Sequence, residues 1–273
     1  MSDDNDSRYA KYERMTFERP APKVLEIVFH GVGRANACDK RGHYEMAEIW
    51  NDVARDPEVN AAIVRGQGDA FSAGGHMDLV TDLSENFNAQ LQGYTEARGI
   101  VYNMMNCNKP IVSAIRGPAA GAGLAMAMLA DVIVASKTAR INDAHTKLGL
   151  PAGDHAVIIW PLLCGMAKAK YHLLLNDTIS GEEAERIGLV SVCVDDDQTY
   201  DKAREIAARL ARGAQSAIRF TKYALNNWLR LAGPSFDASL LMSALSFLGP
   251  DLDEGVAAIR EKREPNFTQS SPL

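Results

Sequence analysis

The chain has only four cysteines, Cys38, Cys107, Cys164 and Cys193, and no two of them stand in a CxxC pair or a ligand-like cluster. That scatter argues against a disulfide framework and a thiolate metal site. It leaves the thiols as small hydrophobes suited to a reducing, cytoplasmic compartment. Positive charge is also in short supply: 29 Lys and Arg stand against 35 Asp and Glu, a formal net charge of −6. An acidic balance disfavours broad binding to nucleic acid or to an anionic membrane surface. No apolar run is long enough to cross a bilayer, since the stretch from Gly121 to Ala135 is broken by Asp131. The opening Met1-Ser2-Asp3-Asp4-Asn5-Asp6 is acidic and polar, unlike a secretory signal. There is no fixed-period repeat and no low-complexity tract. What remains is the profile of an ordinary folded chain, with 47% hydrophobic and 23% charged residues.

Two small-residue breaks stand out. The first is Phe71-Ser72-Ala73-Gly74-Gly75, the second Arg116-Gly117-Pro118-Ala119-Ala120-Gly121-Ala122-Gly123. Each follows a short apolar, β-branched run, Ala61–Arg65 and Pro110–Ile115, and each leads into a segment that can be helical. A strand, a small-residue turn and a helix start leave backbone N–H groups pointing outward. Two such places facing each other would hold one oxygen between two donors, an oxyanion hole built from backbone alone. Small residues also permit close helix–strand packing, so it is the pair of breaks that points to function.

The rest of the pattern alternates. Glu13–Arg19 and Lys23–His30 flank Pro20-Ala21-Pro22 and predict a hairpin. Asp39–Arg55 has helical spacing through Tyr44, Ala47, Trp50 and Ala54, and Asn86–Asn106 predicts a long helix. Ile111–Ile115 and Val132–Ala135 predict further strands. This implies a mostly parallel sheet covered by helices. After about residue 197 the pattern is helical only: 199–212, 214–231, 235–248 and 251–262. The expected organisation is a disordered tail over residues 1–12, an α/β core over 13–197 and a C-terminal helical module over 198–273.

A loop from Ile141 to His155 carries two Gly, one Pro and several ionisable groups. Its His145 is the best acid–base candidate, because imidazole titrates near neutral pH. Asp154 is placed to orient it, although Asp is also a preferred helix N-cap. His76 and His155 read as residues at helix starts, with His76 also in reach of a substrate; His30, His43 and His172 read as structural.

These motifs together resemble the crotonase (enoyl-CoA hydratase/isomerase) superfamily. The resemblance rests on Phe71–Gly75, on Gly117-x-Ala119-x-Gly121-Ala122-Gly123-x-x-Met126-Ala127 with Asp131, and on Leu148-Gly149 with Gly153. Asn36-Ala37, Ile179-Ser180-Gly181, Gly188-Leu189-Val190 and Glu254-Gly255 extend it over residues 13 to 267. It implies an α/β spiral of ββα units with a C-terminal helical trimerisation module, a homotrimer or a dimer of trimers. It also implies acyl-CoA thioester substrates, with CoA as part of the substrate and no separate cofactor or metal. By position, Gly75 and Ala122 would supply the oxyanion N–H groups. Arg34, Ala35, Ala73, Gly74, His76, Met77 and Lys262 would contact substrate.

The departures are as informative. The two glutamates of the hydratases would fall at Ala125 and His145, so the paired-carboxylate hydration mechanism is absent. A His and an Asp nine residues apart, with Trp160-Pro161 downstream, resemble the oxocamphor and β-diketone hydrolase branch, which cleaves C–C bonds. That branch carries a further acid on a C-terminal helix, where Leu240–Leu248 has none, and lacks the Ala-Gly-Gly turn kept here. Three expectations follow: an enzyme forming an acyl-CoA enolate, a retro-Claisen hydrolase using His145 and Asp154, or a non-catalytic acyl-CoA binder.

Overall fold

A computed structural model of the protein describes residues 8–268. Its frame is a six-stranded sheet whose strands lie in the order 15–18, 24–29, 61–66, 111–115, 132–136, 192–194. The first two strands, β1 (Met15–Glu18) and β2 (Val24–Phe29), form the expected antiparallel hairpin, with Phe17 opposite Ile27. The others, β3 (Ala61–Gly66), β4 (Ile111–Ile115), β6 (Val132–Ser136) and β9 (Val192–Val194), all run parallel to β2. Parallel neighbours need crossovers, and helices supply them. α1 (Lys40–Arg55) is capped by Asp39, which accepts from the Gly42 amide at 2.8 Å; α3 (Phe87–Asn106) is capped by Asn86. Between them lies α2 (Met77–Glu85), and α4 (Gly121–Met128) leads from β4 to β6.

Both faces of the sheet are covered, which is why its strands read as unbroken apolar runs. Ala62, Val64, Ile111 and Ile115 face the main core with Trp50, Met104 and Trp160. The alternate residues Ala61, Ile63, Val112 and Val134 face a second core built on Ala203, Ala207 and Ala211 of α7 (Thr199–Arg212). The helical pattern after residue 197 is therefore present, but its first helix closes the sheet's outer face and belongs to the core. The helices α8 (Gln215–Leu231), α9 (Gly233–Ser246) and α10 (Pro250–Glu261) follow it.

A second, three-stranded sheet was not legible in the sequence. It pairs β5 (Pro118–Ala120) with β7 (Arg140–Asn142) and β7 with β8 (Ile179–Ser180), and two helices, α5 (Ala156–Leu175) and α6 (Gly181–Arg186), flank β8. The expected tail over residues 1–12 also needs correction. Residues 1–7 lie outside the described part, but Tyr9 and Tyr12 are buried and donate to Asp56 and Asp52 at 2.9 and 2.6 Å. Two aromatic rings with paired hydroxyls anchor that end of the chain to α1 and the residue that ends it.

Candidate active site

The two small-residue breaks meet. Ser72 and Ala119 form an isolated parallel bridge, with the Ala120 amide donating to the Ser72 carbonyl at 2.9 Å. A Cβ placed on Gly121 would lie 3.3 Å from the Gly74 Cα, so the backbones approach closely enough that a side chain there would crowd its neighbour by a few tenths of an ångström. Gly74 (φ +88°) and Gly121 (φ +49°) both occupy the left-handed region that glycine adopts without strain. The Gly75 amide makes no hydrogen bond among the described residues. The Ala122 amide is at the second position of α4, within the first turn whose N–H groups a helix leaves unsatisfied. Two free donors thus flank one place.

The His145 loop lies beside them. Ala144 takes a left-handed conformation (φ +68°), and the Asn176 amide side chain clamps the loop. Its Oδ1 accepts from the Ala144 amide at 3.2 Å, and its Nδ2 donates to Thr146 Oγ1 at 2.8 Å. The loop sets His145 between two carboxylates. His145 Nδ1 is 3.0 Å from Asp143 Oδ2, and Nε2 is 3.5 Å from Asp154 Oδ2. Asp154 Oδ1 in turn meets His155 Nδ1 at 2.6 Å. Asp143 and His155 were not expected as site residues. Asp143 stands two positions before His145, the one local signal that could have found it. His155 is the N-cap residue of α5 and makes no side-chain capping bond, so its ring goes to Asp154 instead.

Burial alone disfavours the charged imidazole of His145. The charges of Asp154 and Asp143 outweigh that cost and push its pKa up to about 10. Burial likewise acts against the Asp154 carboxylate, but the facing His145 and His155 hold it well below the usual carboxylate range. His145 is therefore an imidazolium at neutral pH. Asp143, Asp154 and His155 offer one ligand atom each within 4.8 Å of one another, the donor set a small cation would use. In this arrangement both imidazoles already engage the carboxylates.

These groups open into one cavity of about 450 Å³, lined by Gly75, Ala122, His145 and Asp154 together with mainly apolar side chains. This volume is typical of a small-molecule site. Of the residues expected to touch substrate, Ala73, Gly74 and Met77 line it. Arg34, Ala35, His76 and Lys262 do not. Ala35 sits behind the turn, its carbonyl accepting from the Ala73 amide at 2.7 Å. His76 caps α2 through Nδ1 and faces a separate surface depression beside Arg41 and Tyr44. Arg34 is exposed, and Lys262 is an exposed C-cap. Lys262's neighbour Arg263 reaches the cavity wall instead, its guanidinium forked on Glu254 at 2.5 and 2.9 Å. Unexpectedly, His43 also lines the cavity. Ala125 is a buried core residue, and the position has no acid or base to offer.

A family model described as enoyl-CoA hydratase/isomerase matches residues 20–270. A probable enoyl-CoA hydratase of Mycobacterium tuberculosis is 31% identical over 266 residues, covering 93% of this chain and 92% of its own. A solved enoyl-CoA hydratase/isomerase from Mycobacterium paratuberculosis superposes with a TM-score of 0.85 at 29% identity, over 89% of this chain and 97% of that one. A β-diketone hydrolase from the cyanobacterium Anabaena sp., solved with (S)-3-oxocyclohexyl acetic acid bound, superposes with a TM-score of 0.81 at 26% identity, over 88% and 96%.

Proposed function

The chain belongs to the enoyl-CoA hydratase/isomerase family, and on that premise we propose that it forms an enolate from an acyl-CoA thioester, as a lyase or isomerase. The observation that carries this reading is the opening of the Gly75 and Ala122 amides and of His145 into a single, mainly apolar cavity. The thioester oxygen lies between the two amides. When the α C–H bond breaks, its electron pair moves onto that oxygen. The donors bind the resulting oxyanion more strongly than the neutral carbonyl, and that difference lowers the barrier. His145, charged between Asp143 and Asp154, donates a proton to carbon. Water addition by two glutamates is not part of the proposal, because Ala125 and His145 stand at their positions. CoA enters as part of the substrate, with no separate cofactor, and the working unit is a homo-oligomer in the cytoplasm.

A second reading is favoured by the contact of His145 with Asp154 and by the likeness to the Anabaena β-diketone hydrolase. Here water adds through oxygen to one carbonyl of a β-diketone, and the bond from that carbon to the central carbon breaks. The electron pair becomes an enolate held by the same amides, and the central carbon takes a proton. The products are a carboxylic acid and a ketone, and the net reactant is one water.

Mass spectrometry in heavy water separates the two. Saturated, unsaturated and β-keto acyl-CoAs are incubated alongside a free cyclic β-diketone. Deuterium at the α-carbon of a thioester is the expected result. A diketone that gains the mass of one water, with thioesters unlabelled, moves the assignment to C–C hydrolysis. A panel that stays unchanged overturns both and leaves a binding protein.

A further inference from the structure

An enolate-forming site needs a group that takes the α-proton, whether or not the same group later returns it. His145 is the giver: both of its ring nitrogens face carboxylates, and it is held charged. His155 cannot take a proton from substrate, because its Nδ1 is on Asp154 and its Nε2 is sealed in the interior without a partner. His172 and His76 do not line the cavity.

His43 differs from all of these. It sits on the inner face of α1, its side chain 8% exposed. Its Nδ1 lies 2.7 Å from Oε2 of the equally buried Glu96 on α3. Glu96 is itself fixed by Gln92, whose Nε2 donates to Oε1 at 2.7 Å. The carboxylate on one edge of the ring sets its orientation and favours the proton on Nδ1. Nε2, on the other edge, makes no hydrogen bond to a described residue and is not sealed from solvent. Because His43 lines the cavity, that nitrogen is the one free imidazole edge presented to it by the described residues.

The geometry points to His43, oriented by Glu96, as the general base of this site, working opposite His145. This rests on the enolate reading above. Nε2 accepts the α-proton of the thioester, and the C–H electron pair passes to the oxygen between Gly75 and Ala122. His145 then delivers a proton to carbon. His43 ends protonated and His145 neutral, and one proton returned through solvent resets both. Glu96 touches no substrate; it is a positioning residue.

The test uses the full-length protein and the thioester giving the fastest α-deuterium exchange. His43→Gln, which keeps an amide toward Glu96, is expected to lower kcat about 10²- to 10⁴-fold with KM within a few-fold of wild type. His43→Ala is expected to regain at least tenfold of its lost rate when imidazole is added. Glu96→Gln is expected to lower kcat less than His43→Gln and to gain nothing from imidazole. In folded wild type, ¹⁵N-histidine NMR with acetonyl-CoA as probe is expected to shift the Nε2 signal of His43 and leave its Nδ1 signal in place. An active wild type whose His43→Gln form keeps its kcat overturns the His43 assignment alone. So does a probe that moves His145 signals without those of His43. A wild type that exchanges nothing overturns the enolate reading and the role of His43 with it.

Discussion

His145 carries a stability signature that its chemistry dictates. Asp154 and Asp143 raise its pKa from the free value of 6.5 to about 10. The folded state therefore binds a proton that the unfolded chain releases across that interval. The stability contributed by the pair is complete below about pH 6.5 and is lost as pH rises toward 10, at up to about 1.4 kcal/mol per pH unit. Asp154 behaves in the opposite sense: its depressed pKa gives stability above the ordinary carboxylate range, lost as pH falls through its lowered value. Thermal melts of wild type between pH 6.5 and 10 should show a declining Tm. In His145→Asn the alkaline decline should flatten, because the titrating group is gone. The variant should also be less stable at pH 7, by about 3–5 kcal/mol, since two buried carboxylates lose their counter-charge. An alkaline limb of the same slope in the variant would show that another group sets it.

At the scale of elements, the site depends on how closely the two turns pack. A Cβ on Gly123 would fall 2.2 Å from both Cβ and Oγ of Ser72, so one of the two segments must shift to admit it. Gly123→Ala is expected to cost about 1–3 kcal/mol by overpacking. It should also pull the Gly75 and Ala122 amides apart, so kcat falls more than the stability loss explains. Adding Ser72→Gly removes the clashing atoms and should restore part of the lost stability, read as the denaturant midpoint in a chemical-denaturation series. It also forfeits the Ser72 hydroxyl's bond to the Asn36 carbonyl at 2.8 Å, so restoration is incomplete. If the double variant is less stable than the sum of the singles, the clash is not what Gly123 avoids.

Both turns were legible in the sequence because glycine, alanine and a preceding strand are local signals. The His145–Asp154 pair was legible for the same reason, since both sit in one loop. Other features are products of tertiary packing. The strands β5 and β8 are three and two residues long, too short to show alternation. Helix α2 contributes little signal either, with only Leu79 and Val80 buried along it. His43 was hidden by helical phase. The spacing of Tyr44, Ala47 and Trp50 suggested the buried face, yet Tyr44 is 44% exposed and His43 stands inward with Met46 and Trp50. Its partner Glu96 is 53 residues away, so no local pattern joins them.

At the scale of the whole molecule, the outer faces of the last helices are what an isolated chain would not keep wet. Phe220, Trp228 and Leu231 of α8 are 73%, 64% and 74% exposed, and Leu241 and Leu245 of α9 are more than half exposed. Large exposed apolar patches are the kind of surface that proteins use for association. A second copy of this chain is the occupant expected from the proposed homo-oligomer. The consequence reaches the site, because α9 has two faces: Leu240, Ser243 and Ala244 line the cavity, while Leu241 and Leu245 point away from it. A partner covering the outer face would hold the inner one in place. Wild type in sedimentation equilibrium should therefore run as a multiple of 29.7 kDa. Trp228→Glu with Leu231→Glu should shift it to a single chain with an unchanged far-ultraviolet spectrum. That monomer should bind acyl-CoA more weakly and exchange α-protons more slowly, because α9 has lost its support. A wild type already monomeric at micromolar concentration would remove association from the argument. A monomeric variant with full activity would show that α9 holds the cavity wall on its own.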